Sequence, residues 1–204
     1  DTATNTIAAT IGGFDIPQGV AVSPDGTRAY VTNRGDGTVS VIDTDPASAG
    51  YNTITATLAG FAAPVAVAVS PDGSFAYVTN RDDGTVSVID TATDTVVSTI
   101  AGFNQPARPV VSPDGTRVFV TNAGGAAVSV IDTATDTVTA TIAVGNFPFG
   151  AAVSPDGTRT YITDYGDGTV SVLDTGTGAG GNGGAGGAGG AVGDGGAGGA
   201  GGAG

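Results

Sequence analysis

The side chains able to do chemistry in this chain of 204 residues are of few kinds. All 19 acids are Asp and all 6 bases are Arg; His, Cys, Met and Trp are absent, and so are Lys and Glu. Without His or Cys there is no imidazole general base, no thiol nucleophile, no zinc-finger site and no disulfide. Without Lys there is no Walker-type phosphate lysine and no Schiff base. What remains is acid–base work by paired carboxylates, hard-cation binding by Asp, and anion binding by Arg. Asp36, Asp82, Asp83 and Asp167 are the candidates for collecting a cation such as Ca²⁺, against the simpler role of solvated turn residues. Arg108 is the candidate for holding an anion or carboxylate.

A repeat positions these residues. Ser23-Pro24-Asp25-Gly26 recurs at Ser70-Pro71-Asp72-Gly73, Ser112-Pro113-Asp114-Gly115 and Ser154-Pro155-Asp156-Gly157, with the prolines 47, 42 and 42 residues apart. A period of about 40 residues built from short apolar strands predicts an all-β fold, a β-propeller with four four-stranded blades. Strand a follows Pro17, Pro64, Pro106 and Pro148 and carries small apolar residues such as Val20-Ala21-Val22. The Ser-Pro-Asp-Gly sequence reads as a type I turn closing the a–b hairpin. Strand b is Arg28 to Asn33, Phe75 to Asn80, Arg117 to Asn122 and Arg159 to Asp164. Strand c, with period-two Val/Ser/Val alternation, is Thr38 to Asp43, Thr85 to Asp90, Ala127 to Asp132 and Thr169 to Asp174. Strand d is Asn5 to Ile11, Asn52 to Leu58, Thr95 to Ile100 and Thr137 to Ile142.

The chain thus opens on a d strand and ends its repeats on a c strand. The amino-terminal strand Asn5–Ile11 is therefore able to complete the last blade. In the other direction, Asp1-Thr2-Ala3-Thr4 matches Asp90-Thr91-Ala92-Thr93, which follows a c strand. That match predicts a chain that starts just after an upstream blade and belongs to a larger ring. Five extra residues near Asp45 to Tyr51 read as a surface insertion.

In a propeller the d–a and b–c loops share one face. Here that face would hold Asp15, Gln18, Asn104, Gln105, Arg108, Asn146, Phe147 and Phe149, together with Arg34, Arg81 and Tyr165 from the b–c loops. Arg108 breaks the repeat most sharply, since Gly19, Ala66 and Gly150 stand in its place elsewhere. Its position at the start of strand a puts it near the mouth of the central channel. Arg34-Gly35-Asp36 spells the integrin-binding tripeptide, but Gly and Asp are also what an exposed hairpin turn calls for.

Net charge is −13. That argues against nucleic acid and anionic membrane as partners, since both need a basic face. No apolar run is long enough to span a membrane, and no signal peptide is apparent. Residues 1–175 hold the material for a core. Residues 176–204 form a low-complexity tail in which 18 of 29 residues are Gly, with almost no side chains to bury.

Tyr30-Val31-Thr32-Asn33, Tyr77-Val78-Thr79-Asn80, Phe119-Val120-Thr121-Asn122 and Tyr161-Ile162-Thr163-Asp164 resemble the repeat of the YVTN β-propeller family. The resemblance covers about residues 1–175, and since members usually have seven blades it implies a piece of a larger ring. The tail from Gly178 onward is similar to the glycine-rich PGRS region of mycobacterial PE-PGRS proteins, which implies a secreted or cell-surface protein. On these grounds the expected function is a non-catalytic binding or display scaffold for a protein or cell-envelope ligand. The expected top-face ligand site is the Arg108 group of residues, with no cofactor beyond Ca²⁺. Because some propellers related to the family are lactonases, a metal-assisted hydrolase is the alternative. A structural cell-wall or surface-layer component is a third. Ring completion is expected to need further blades or self-association.

Overall fold

The computed structural model describes residue 3 and residues 5–176. All regular structure in them is β, in four antiparallel sheets that follow one another along the chain. We call the sheets blades. The first contains β1 (Pro17–Val22), β2 (Arg28–Asn33), β3 (Thr38–Asp43) and β4 (Ile54–Ala59). The second contains β5 (Pro64–Val69), β6 (Phe75–Asn80), β7 (Thr85–Asp90) and β8 (Thr95–Ala101). The third contains β9 (Pro106–Val111), β10 (Arg117–Asn122), β11 (Ala127–Asp132) and β12 (Thr137–Ala143). The fourth contains β13 (Pro148–Val153), β14 (Arg159–Asp164) and β15 (Thr169–Asp174). The first strands pack in series, β1 on β5, β5 on β9 and β9 on β13, as the inner rim of a propeller does. Except for Gly176, the glycine-rich tail lies outside the described residues.

The turns form for local reasons. In each Ser-Pro-Asp-Gly turn the glycine N–H donates to the serine carbonyl at 2.8–2.9 Å, and the glycine sits at φ of 71° to 77°. Ser23, Ser70, Ser112 and Ser154 each donate to the turn aspartate, and the backbone N–H two residues beyond that aspartate donates to it as well. These bonds favour the ionised carboxylate and hold Asp25, Asp72 and Asp114 below the usual 3.8, and Asp156 at about 2.

Each residue of the Tyr-Val-Thr-Asn motif has its own task. The aromatic, Tyr30, Tyr77 or Phe119, is fully buried against the next blade. Burial pushes the Tyr77 hydroxyl up to about 12. The following residue, Val78, Val120 or Ile162, faces the preceding blade and receives that aromatic. The threonine hydroxyl fills the bulge in strand a: it accepts the N–H of Gly19, Ala66 or Arg108 and donates to a carbonyl of the next blade. Thr32 reaches Val65 at 3.2 Å, Thr79 reaches Ala107 at 2.9 Å, and Thr121 reaches Phe149 at 3.0 Å. The asparagine amide ties strand c to strand b: Asn33 donates to Ser40, Asn80 to Ser87 and Asn122 to Ser129 at 2.8–2.9 Å.

The structure departs from expectation at both ends. Residues 5–11 form no strand, Ile7 is 86% exposed, and the fourth blade has three strands among the described residues. Among the described residues β15 pairs with β14 alone, and the inner strands pack in series from β1 to β13. Ile11 and Phe14 instead pack on Ala29, Val31 and Ile42 of the first blade.

Three outcomes follow. Ala126 occupies the left-handed position, at φ 44°, that Gly37, Gly84 and Gly168 fill in the other blades. Ala126→Gly relieves that strain and is expected to raise stability by about 0.5–1 kcal/mol after the entropy cost of glycine; an unchanged or lower urea midpoint contradicts this. Asp164 stands where the other blades have Asn and is buried, accepting from Ser171 at 2.6 Å. Asp164→Asn keeps a bond to Ser171 and gives the fourth blade the residue the other three carry, so stability should rise by about 1 kcal/mol; a lower urea midpoint contradicts it. The four turn aspartates have lowered folded-state values, so the stability they contribute is complete above the unfolded value of 3.8 and is lost as pH falls towards about 2. Melting temperature should therefore hold steady down to about pH 4 and then drop. A melting temperature that stays flat to about pH 2 would contradict this.

Candidate functional site

The first strands of all four blades contribute to one cavity of about 200 Å³, lined by Gln18, Val65, Ala66, Arg108 and Phe149. Strand a is short and carries small residues, so the four inner strands approach closely: a Cβ on Gly19 would lie 2.7 Å from the Ala66 Cα. Arg108 is exposed on β9, and its guanidinium carbon sits 5.8 Å from the centre of the Phe149 ring. Among the described residues the ion pair found is Arg28–Asp94 at 3.1 Å, so no carboxylate neutralises Arg108. The ring face orients the cation without cancelling its charge. The arrangement is a small, partly apolar recess with a free guanidinium and a side-chain amide, suited to an anionic group on a compact polar molecule.

Larger clefts of about 410, 290 and 270 Å³ lie between successive Ser-Pro-Asp-Gly turns. Their carboxylates are already spent on the turn hydrogen bonds, so they offer less to a ligand.

Of the residues singled out from sequence, Arg108, Gln18 and Phe149 are brought together in the cavity. Most of the others are paired locally, Arg34 and Asp82 through their backbone N–H groups, which donate to the Ile16 and Ala62 carbonyls. Asp167 accepts both the backbone N–H and the side-chain amide of Asn146, at 2.7 and 2.8 Å, which lowers its pKa. Arg81 donates to Gln105 at 3.3 Å across the second and third blades. Asn104 donates to the Gly124 carbonyl at 3.0 Å. Asp15 covers Gly35 beside Arg34, and Tyr165 packs on Phe147 with ring centres 5.8 Å apart. The proposed cation ligands are not assembled. Asp36 and Asp83 cap Thr38 and Thr85 of their own turns, and the four belong to three different blades. Among the described residues no three acids form a metal-holding group. Sequence reasoning missed Val65 and Ala66, which look like ordinary strand-a residues. Their signal was the repeat itself, since Val65 is the counterpart of Gln18 and Ala66 that of Arg108.

Two family models match. The lactonase seven-bladed β-propeller family matches residues 2–99, and the cytochrome D1 heme domain family matches residues 71–178. No curated protein matches the chain. Among solved structures, hydrazine synthase from Kuenenia stuttgartiensis is 25% identical with a TM-score of 0.67, over 83% of this chain and 53% of that one. A candidate 6-phosphogluconolactonase from Bacteroides uniformis is 17% identical with a TM-score of 0.68, over 85% of this chain and 58% of that one. Another from Bacteroides fragilis is 19% identical with a TM-score of 0.67, over 79% and 52%. The chain therefore spans a little over half the length of these structures. The last two are too distant in sequence to speak for more than fold.

The lactonase match overturns the expectation of a non-catalytic display scaffold and favours the hydrolase alternative. The other match implies a heme, which the residues here do not fit. Protein ligands to heme iron are His, Cys, Met or Tyr, and the first three are absent from the chain. Tyr30 and Tyr77 are locked between blades, and no tyrosine lines the Arg108 cavity. The propeller that the first match names agrees with the four antiparallel sheets. With the second match covering more than half its length, the chain belongs to the cytochrome D1 heme domain family, while its first half matches the seven-bladed lactonase propellers.

Proposed function

We propose that this chain is the ligand-binding part of a lactonase-type propeller that opens a cyclic ester bearing an anionic group. The observation that carries the reading is the unneutralised Arg108 in a recess built by all four inner strands, with Gln18 and Phe149 beside it. A sugar lactone would rest its ring on Phe149, offer hydroxyls to Gln18 and place its phosphate or carboxylate on Arg108. In the reaction a water oxygen bonds to the ring carbonyl carbon, the ring C–O bond breaks, and the proton lost by water ends on the ring oxygen, giving a hydroxy acid. The lactonase family match supports the choice of substrate class. We further read the repeat as of the YVTN type, the four blades as part of a larger ring, and the parent protein as secreted or on the cell surface. The support for these is the Tyr-Val-Thr-Asn recurrence and the glycine-rich tail.

The test is hydrolysis of 6-phosphogluconolactone by the 204-residue chain, against the buffer rate. Acceleration that falls about tenfold or more in Arg108→Ala is expected, because one charge-assisted contact is worth about 1.5–3 kcal/mol. Neutral gluconolactone should lose far less. No acceleration by the unaltered chain, or an equal loss for both lactones, overturns the reading.

A further inference from the structure

We infer that the cleft between the second and third blades is a binding site for a guanidinium group, supplied by a small guanidine compound or by an arginine of a peptide. Two equivalent clefts in the same molecule already hold such a group, and this one keeps the acceptors without the arginine. The inference does not rest on the lactonase reading.

The two filled clefts show what the fold places there. Arg28, at the head of β2, donates to the Thr91 carbonyl at 2.6 Å and pairs with the Asp94 carboxylate at 3.1 Å, both one blade onward. Arg117, at the head of β10, donates to the Thr175 carbonyl at 2.7 Å. Residues two apart on a strand share a face, so each arginine lies beside the aromatic of its own Tyr-Val-Thr-Asn motif. Arg28 and Tyr30 line one cleft, and the Arg117 guanidinium carbon sits 5.5 Å from the centre of the Phe119 ring. The recurring site is thus a turn carbonyl in front of the cation and an aromatic ring beside it.

In the second blade Phe75 heads strand b instead of an arginine. The receiving parts on the third blade are unchanged. Thr133 is held as Thr91 is, its N–H donating to Thr116 and its hydroxyl to the Gly115 carbonyl, and among the described residues its own carbonyl accepts no hydrogen bond. Asp136 stands where Asp94 does, half-buried, and among the described residues its carboxylate has no partner. Tyr77 lines the cleft and is 1% exposed, and among the described residues its hydroxyl has no hydrogen-bond partner. Burial, then the Asp136 and Asp72 charges, raise that hydroxyl, which places it near both carboxylates. The cleft measures about 410 Å³, against about 290 and 270 Å³ for those that hold an arginine. Asp72 and Asp114 in its walls are spent on their own turns, so the acceptors on offer are the Thr133 carbonyl, the Asp136 carboxylate and the Tyr77 hydroxyl. A guanidinium has five donors in a planar fork and no acceptor, which suits acceptors set around an aromatic ring. None of the six arginines lines this cleft, the residues outside the described ones include neither Arg nor Lys, and the net charge of −13 draws cations.

The experiment is a calorimetric titration of the 204-residue chain with methylguanidine and with N-acetylargininamide, using N-acetylcitrullinamide as the neutral isostere. One saturable site is expected, with the citrulline compound about tenfold or more weaker, because it lacks the charge-assisted bonds. Asp136→Asn should weaken binding by about tenfold. Phe75→Arg gives the second blade the residue that heads strand b in the other three, and it should abolish binding with an unchanged circular dichroism spectrum. Asp83→Asn, at the other end of the blade, should leave binding as it is. Equal affinity for the two guanidinium compounds assigns the group alone, and tighter binding of N-acetylargininamide assigns an arginine of a peptide; both uphold the site. No saturable binding by the unaltered chain, equal affinity for the citrulline compound, or binding that survives both Asp136→Asn and Phe75→Arg overturns the inference.

Discussion

In each of the first three blades one hydroxyl group carries two jobs on which the rest of the architecture depends. The buried threonine of strand b closes the bulge in its own strand a and then donates to the inner strand of the next blade. Without the first bond, a strand-a N–H would be buried without a partner; without the second, a carbonyl would be. The bonds at Thr32, Thr79 and Thr121 therefore set how closely the inner strands approach. That spacing explains why small residues line the axis and why a single Arg among them opens a recess. The aromatic before the threonine and the arginine at the head of strand b then lock the outer parts of neighbouring blades.

Much of this was legible in the residues. Strands b and c fall where the Tyr-Val-Thr-Asn and Val-Ser-Val alternation puts them, because side-chain alternation in a strand is a local property. The Ser-Pro-Asp-Gly turns were equally plain, since each is held by its own serine, aspartate and glycine. Arg108 stood out because it breaks a repeat. What was not legible depends on angles between sheets. Whether Asn5–Ile11 reaches β15 is decided by how far four blades turn, which no local pattern encodes. The aspartates proposed to share a cation occupy equivalent turns of three blades, Asp82 and Asp83 in one of them, and equivalence along the chain means separation in space.

The site and the packing of the blades are linked by the same inner strands. Gln18 lines the cavity, and its carbonyl is also the free counterpart of the Val65 carbonyl that Thr32 engages. Of the residue types that ligate heme iron, His, Cys and Met are absent from the chain, and among the described residues no tyrosine lines the recess at the inner strands.

The most direct test of the functional account is a crystal structure of the chain grown with 6-phosphogluconate, the hydroxy acid that ring opening would yield. The account predicts its phosphate on Arg108 and its carbon chain against Phe149 and Gln18. The acid lodged between the Ser-Pro-Asp-Gly turns, or an empty Arg108 recess at saturating concentration, would contradict it.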